Sequence, residues 1–117
     1  NYTVLNWRDP IVTAHNPLDD AMDVDPSSPV QVTFSQAMNP VGTFTVKLGS
    51  DVVPGTFSYD EDTYTFTFTP AEPLWYTSTY DITVSGMVDA AGDVQQEPVS
   101  FSFSTIPMKI YLPLISR

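Results

Sequence analysis

Thr63-Tyr64-Thr65-Phe66-Thr67-Phe68-Thr69-Pro70 alternates a hydroxyl with an aromatic ring, unbroken until the proline. Successive side chains of an extended chain point to opposite faces, so this period of two puts Tyr64, Phe66 and Phe68 on one side. The threonines take the other. The stretch predicts a strand with its rings in a core, and a chain that repeats the pattern predicts a sandwich or a barrel.

Working back from this stretch, Asp60-Glu61-Asp62 closes a hairpin with Val52–Tyr59, whose Pro54-Gly55 interruption predicts an edge strand or bulge. Thr43–Leu48 alternates with Phe44, Val46 and Leu48 inward, and Gly49-Ser50-Asp51 follows as a turn. Gln36–Pro40 breaks the period and reads as a single helical turn. Val30–Ser35 places Val30, Val32 and Phe34 inward. Leu18–Pro29, broken by aspartates and prolines, reads as an irregular crossing loop. Ile11–Ala14 is a short first strand ended by the turn signal His15-Asn16-Pro17.

Working forward, Ala71–Ser78 connects to Thr79–Ser85, which buries Tyr80, Ile82 and Val84. Gly86–Pro98 holds the turn cluster Asp89-Ala90-Ala91-Gly92-Asp93, and Val99–Thr105 buries Val99, Phe101 and Phe103. No segment carries a helical period. About seven short strands separated by turn signals predict an all-β, antiparallel β-sandwich.

The 117 residues suffice for one domain, which buries roughly two thirds of its unfolded surface. Four basic residues against fourteen acidic ones give a net charge of −10. Phosphate backbones and anionic lipids are repelled by such a surface, which argues against nucleic acid as a partner. Cations are attracted. There is no cysteine, hence no disulfide or thiol chemistry. No apolar run approaches the roughly 20 residues of a membrane helix. Residues 1–10 read as a linker from a preceding domain, 11–106 as the sandwich and 107–117 as an apolar tail. The start at Asn1, without methionine or signal peptide, reads as a piece of a longer precursor. Asn1-Tyr2-Thr3 matches a glycosylation sequon, too short a pattern to carry weight.

Three constellations carry chemistry. Asp19, Asp20, Asp23 and Asp25 lie close together and supply oxygens of the kind calcium takes, without EF-hand spacing; Asp60, Glu61 and Asp62 form a lesser acidic group. Trp75 and Tyr76 are adjacent in a connection, so one of them is expected at the surface, able to stack on a sugar ring or a protein partner. Trp7 and Tyr2 form a second aromatic group. His15 is the sole histidine and has no Gly-x-Ser-x-Gly elbow or second metal ligand to work with, so it reads as a surface or capping residue. Glu61, Glu72 and Glu97 sit in or beside turns, where solvation keeps carboxylates ordinary. No catalytic set emerges, and the chain reads as non-enzymatic. Tyr80, opening its strand after a long connection, has the position of a tyrosine corner.

In order, Ala21–Pro26, Val30–Ser35, Met38-Asn39-Pro40, Gly55–Asp60, Thr65–Pro70, Thr79–Val84, Asp89–Gly92 and Phe101–Thr105 resemble the bacterial Ig-like domains of S-layer and other cell-surface proteins. The resemblance implies an Ig-like sandwich used outside the cell as a spacer or display unit, with no shared catalytic residues; apart from calcium at the aspartate loop, no cofactor is expected. It implies neighbouring domains of the same precursor, or surface polysaccharide or protein, as partners. Two stretches depart from the pattern: Leu74-Trp75-Tyr76-Thr77-Ser78 replaces a glycine turn, and Asp93 stands where asparagine is common. The tail Lys109–Arg117 resembles short Tyr-Leu-Pro-Leu tails of exported bacterial proteins. It reads as an added strand, a segment docked on a neighbour or a recognition tag.

Overall fold

The computed structural model describes residues 9–107. They form nine strands: β1 (Val12–Asn16), β2 (Ala21–Val24), β3 (Val30–Phe34), β4 (Thr43–Leu48), β5 (Asp51–Val52), β6 (Gly55–Asp60), β7 (Thr65–Pro70), β8 (Thr79–Ser85) and β9 (Val99–Thr105). Two sheets result, ordered β1-β3-β7-β6 and β2-β9-β8-β4-β5. This is the all-β sandwich that the alternations predict. Sequon Asn1–Thr3, the aromatic residues Tyr2 and Trp7, and the tail from Met108 lie outside the described residues.

The inner faces are the alternating residues themselves. Val30, Val32 and Phe34 of β3 are buried, as are Phe66 and Phe68 of β7, and Tyr80, Ile82 and Val84 of β8. Each such side chain, fully buried, stabilises the fold by about 1.5–3 kcal/mol. Phe34 meets Phe66 edge-on, with ring centroids 5.7 Å apart, a geometry favoured by the ring quadrupoles. On the outer face the threonines pair across strands, Thr33 Oγ1 lying 2.9 Å from Thr65 Oγ1.

The structure departs from the sequence reading at five places. His15 and Asn16, read as a turn, extend the first strand by pairing with Val32 and Gln31 of β3. Within Leu18–Pro29 lies a further strand: the chain passes the cis Asn16–Pro17 peptide, changes sheet and runs as β2 parallel to β9. The crossing is real but not irregular throughout. Gln36–Pro40 is no helical turn; Met38 instead forms an extended bridge to Asp89. Val52–Tyr59 divides at Val53-Pro54 into β5 and β6, edges of opposite sheets. Finally, Tyr64 is not a core ring. Asp60 pairs with Thr65, so residues 61–64 form the hairpin loop, and Tyr64 sits at φ 58 with 37% of its surface exposed. The last two pattern positions before Thr65 are taken by the turn.

The two ends of the sandwich are distinct. At one, Ser35 N donates to Ile11 O and Phe34 N to Tyr64 O, which gathers the start of β1, the end of β3 and the β6–β7 turn. At the other, Leu74 N donates to Pro26 O and Thr105 N to Ser78 O, gathering the β2–β3 loop, the β7–β8 connection and the end of β9. The first is called the Ile11 end below, the second the Trp75 end.

Candidate functional site

The β7–β8 connection is built from a buried anchor outward. Leu74 is buried, and Tyr80 is buried at the start of β8 with its ring stacked near Phe103 at 5.6 Å between centroids. The Tyr80 hydroxyl accepts the Trp75 amide at 2.8 Å, the contact that its corner position predicts. Thr105 Oγ1 donates to the Trp75 carbonyl at 2.6 Å, and accepts from Ser78 N at 3.0 Å. The Trp75 backbone is therefore held on both sides. Its indole nevertheless stands 73% exposed, and Tyr76 is 48% exposed. Sequence reasoning placed one of this pair at the surface; both are there, because Leu74 alone fills the place in the core.

Beside the indole lies a groove of about 450 Å³. Its walls come from the β5–β6 crossing, with Val52, Val53 and Pro54, and from Pro73 and Leu74; Asp51 and Glu72 supply carboxylates. An exposed ring face with apolar walls and carboxylate acceptors suits a sugar ring or a cationic apolar segment. A second hollow, of about 220 Å³, opens between β4 and β6 and is lined by Phe44, Phe57, Tyr59, Phe66 and Met87. Phe57, on an edge strand, is half exposed there.

The aspartates proposed for calcium are not brought together. Asp19 Oδ1 accepts the Ser102 amide at 3.1 Å and Asp25 Oδ1 the Ser27 amide at 2.8 Å. Asp20 and Asp23 sit at positive φ, 62° and 59°, on either side of the start of β2. Asp25 caps the turn after β2, and Asp19 is taken up by the backbone of β9. Among the described residues no group of three or more His, Cys, Asp or Glu side chains is placed to hold a metal. In the second acidic group, Asp60 Oδ1 accepts the Asp62 amide at 2.9 Å, again as a turn cap.

His15 stacks on Phe101 with centroids 3.8 Å apart, and its Nδ1 lies 2.8 Å from Pro17 O. A backbone carbonyl only accepts, so Nδ1 carries the proton. This is a capping histidine, half-buried against the core.

The residue the sequence hid is Asp89, 3% exposed in the β8–β9 connection. Its Oδ1 accepts the amides of Ala91 at 3.0 Å and Asp93 at 2.7 Å, and its Oδ2 accepts Gln36 Nε2 at 2.7 Å. Burial pushes its pKa up, but donors from Gln36 and from the Asp93, Ala91 and Gly92 backbone outweigh this and hold it below the ordinary value. A carboxylate so held is a structural brace, not an acid or base. The Asp-x-x-Gly spacing was its only signal, and that reads as any turn. Gln95, also buried, does the same nearby, donating from Nε2 to Val84 O at 3.2 Å and to Glu97 O at 2.8 Å. Among the described residues every buried side-chain nitrogen and oxygen has a partner.

Comparison with known proteins agrees with this architecture. The methionine-rich copper resistance protein PcoC of Escherichia coli superposes with a TM-score of 0.69 at 16% identity, over 83% of this chain and 98% of its own. CopC of Methylosinus trichosporium gives 0.71 at 11% identity, over 88% and 99%. The S-layer protein SbsC gives 0.60 at 22% identity, over 84% of this chain and 14% of its own. At these identities the likeness is one of fold. No curated protein matches the sequence. A family model for the bacterial Ig-like domain matches residues 7–105, and the chain therefore belongs to the bacterial Ig-like domain family.

Proposed function

We propose that this domain is a non-catalytic spacer or display module of a secreted or cell-surface bacterial multidomain protein, holding neighbouring domains of one precursor apart. The path of the chain carries the reading. It comes in beside Ser35 at the Ile11 end and leaves after Ile106, whose amide donates to Val24 O, at the Trp75 end. A module threaded from one end to the other transmits its full length between neighbours, whereas one with adjacent termini hangs to the side. The sandwich between is stiff because protein cores are close-packed and the ladders β3–β7, β6–β7, β4–β8 and β8–β9 pair without a break in register. The similar fold in an S-layer protein, of which this chain spans 14%, lends further support.

The chain has no cysteine, so paired labels at Asp9→Cys and Pro107→Cys report its length cleanly. Electron-spin distance measurement is expected to give one narrow, long distance. A broad or short distribution, or turnover of a polysaccharide by the domain, overturns the reading.

A second reading is supported by the exposed indole on its clamped backbone: retention of polysaccharide through Trp75 and Tyr76. Pre-ordered aromatic platforms bind without an ordering cost. Glycan-array binding that disappears in Trp75→Ala supports it; no binding, or binding unaffected by the substitution, removes it. Copper appears in the name of one structural neighbour, the methionine-rich PcoC; in this chain Met38 and Met87 are buried, and Met22 stands 75% exposed on β2.

A further inference from the structure

The two sheets end in four edge strands, β1, β6, β2 and β5, and three of them are blunted. Strand β5 is two residues long, and β1 and β2 each break register partway along their pairing. Short or irregular edges keep a sheet from recruiting another chain. Strand β6 has neither protection. Gly55–Asp60 pair with β7 without a break, and Thr56-Phe57-Ser58-Tyr59 holds no proline, lysine or other charge.

Two bonds fix which backbone groups of β6 face outward. Phe34 N donates to Tyr64 O at 2.9 Å and Ala71 N to Pro54 O at 3.0 Å, each continuing the register of its ladder. Bonded pairs alternate along an antiparallel ladder, so Thr65, Thr67 and Thr69 turn to β6, where Asp60, Ser58 and Thr56 meet them. Gly55, Phe57 and Tyr59 therefore carry their N–H and C=O groups to the free side, with no described strand beyond them. Their side of the pleat is the inner one: Phe57 meets Phe44 of the other sheet at 5.0 Å between centroids, and Tyr59 meets Phe66 at 4.5 Å. Phe57 is half exposed at the hollow of about 220 Å³. A free backbone edge and an open apolar hollow lie side by side.

The strand is its own complement. Set antiparallel to a copy with the two-fold axis at Phe57, it exchanges both backbone bonds between the two Phe57 residues, and between Gly55 of one and Tyr59 of the other. The two Phe57 rings then adjoin over the merged hollows as a cross-strand aromatic pair, and Tyr59 faces a glycine with no side chain to crowd it. On the outer face Thr56 meets Ser58, repeating the hydroxyl pairing of Thr33 with Thr65. Charge selects the direction. Antiparallel strands hold the acidic turns Asp60-Glu61-Asp62 at opposite ends, at least about 20 Å apart at ~3.4 Å per residue, well past the roughly 8 Å screening length. Each Asp60 comes instead to Pro54 of the other copy, close to Val52, whose partner Lys47 is the sole Lys or Arg among the described residues. A parallel pair would set the acidic turns side by side.

We propose that β6 is a dimerisation edge: two copies of this chain join antiparallel through Gly55–Tyr59, forming one continuous sheet and covering Phe57. The contact runs along the flank of the sandwich. Both ends stay free for neighbouring domains, so the module associates sideways with a second module.

The chain has no cysteine, so two single variants test the register. Thr56 and Ser58 are exposed, which keeps the fold safe from either change. Thr56→Cys mixed with Ser58→Cys is expected to form a disulfide-linked dimer roughly tenfold faster than either variant alone, since only the unlike pair is directly opposite. Equal rates in all three samples, or no cross-link in any, overturns the proposal. Light scattering supplies a second measurement. Wild type is expected to pass from monomer to dimer below about 1 mM, more readily as salt screens its net charge of −10, and Phe57→Lys to weaken association roughly tenfold. A monomer throughout overturns the proposal and leaves the edge to an extended segment of another protein. A dimer indifferent to Phe57→Lys, or one that salt dissociates, overturns it too by placing the contact elsewhere.

Discussion

Gln36 and Asp89 stand 53 residues apart in sequence, yet Gln36 Nε2 donates to Asp89 Oδ2 at 2.7 Å. The bond joins the loop after β3 to the connection between β8 and β9. Around it, Ala90 N donates to Ala37 O and Asn39 Nδ2 to the Asp89 carbonyl at 3.1 Å. Two short blocks that look like separate turns in the sequence, Met38-Asn39-Pro40 and Asp89-Ala90-Ala91-Gly92, form one braced corner.

Removing the Asp89 charge weakens that corner. Asp89→Asn is expected to lower stability by about 1–3 kcal/mol at neutral pH, since it loses charged acceptors for buried donors. Because the folded pKa lies below the ordinary 3.8, the carboxylate stabilises the fold above that value and the contribution is lost as pH falls through the folded pKa. Urea unfolding against pH should show a shallower acid decline in the variant than in the wild type.

Two tyrosine hydroxyls satisfy backbone amides at opposite ends of the sandwich: Tyr80 accepts from Trp75 N and Tyr59 from Met38 N at 2.9 Å. Tyr80→Phe and Tyr59→Phe should each cost about 1–2 kcal/mol by leaving a donor unmatched. They share no partner, so the double variant should show the sum to within about 0.5 kcal/mol in denaturant unfolding.

Phe68 and Phe57 face one another across β6 and β7 with centroids 5.0 Å apart, but Phe68 is 1% exposed and Phe57 50%. Phe68→Ala is expected to cost about 3–5 kcal/mol through lost burial and a cavity. Phe57→Ala should cost about 1 kcal/mol, since half its surface is already in water. Thermal unfolding separates the two.

Gly42 has φ +130, and a Cβ there would come within 2.6 Å of the Met87 backbone. Gly42→Ala is therefore expected to destabilise by at least about 2 kcal/mol. Gly49, at φ +64 with open space around it, serves as a control: Gly49→Ala should cost about 1 kcal/mol from the backbone alone.

With Asp19 and Asp25 capping amides and no metal-holding group of side chains among the described residues, millimolar calcium should leave the melting temperature unchanged. A rise that chelator reverses would show that the Asp19–Asp25 stretch rearranges around the ion.

Much of the architecture is legible from local pattern. Thr43–Leu48, Thr79–Ser85 and Val99–Thr105 match the strands residue for residue, because each alternates cleanly between two punctuating turns. Tyr80's bond was legible too, since a tyrosine opening a strand after a long connection has nearby backbone to meet. Strand β2 was not, for Ala21-Met22-Asp23-Val24 exposes both central residues and so has no alternation to read.

What the sequence by itself determined is which residues are extended and which faces are apolar, because the pleat is a property of neighbours along the chain. Tertiary structure alone decided the rest. It turned Tyr64 out of the core by fixing the Asp60–Thr65 pairing, buried Asp89 by bringing Gln36 to it, and left both Trp75 and Tyr76 in water because Leu74 had filled the place beneath them. Of these, the Gln36–Asp89 contact needs a partner 53 residues away, and the other two turn on where a hairpin closes and which of neighbouring side chains the core admits; no local period encodes any of them.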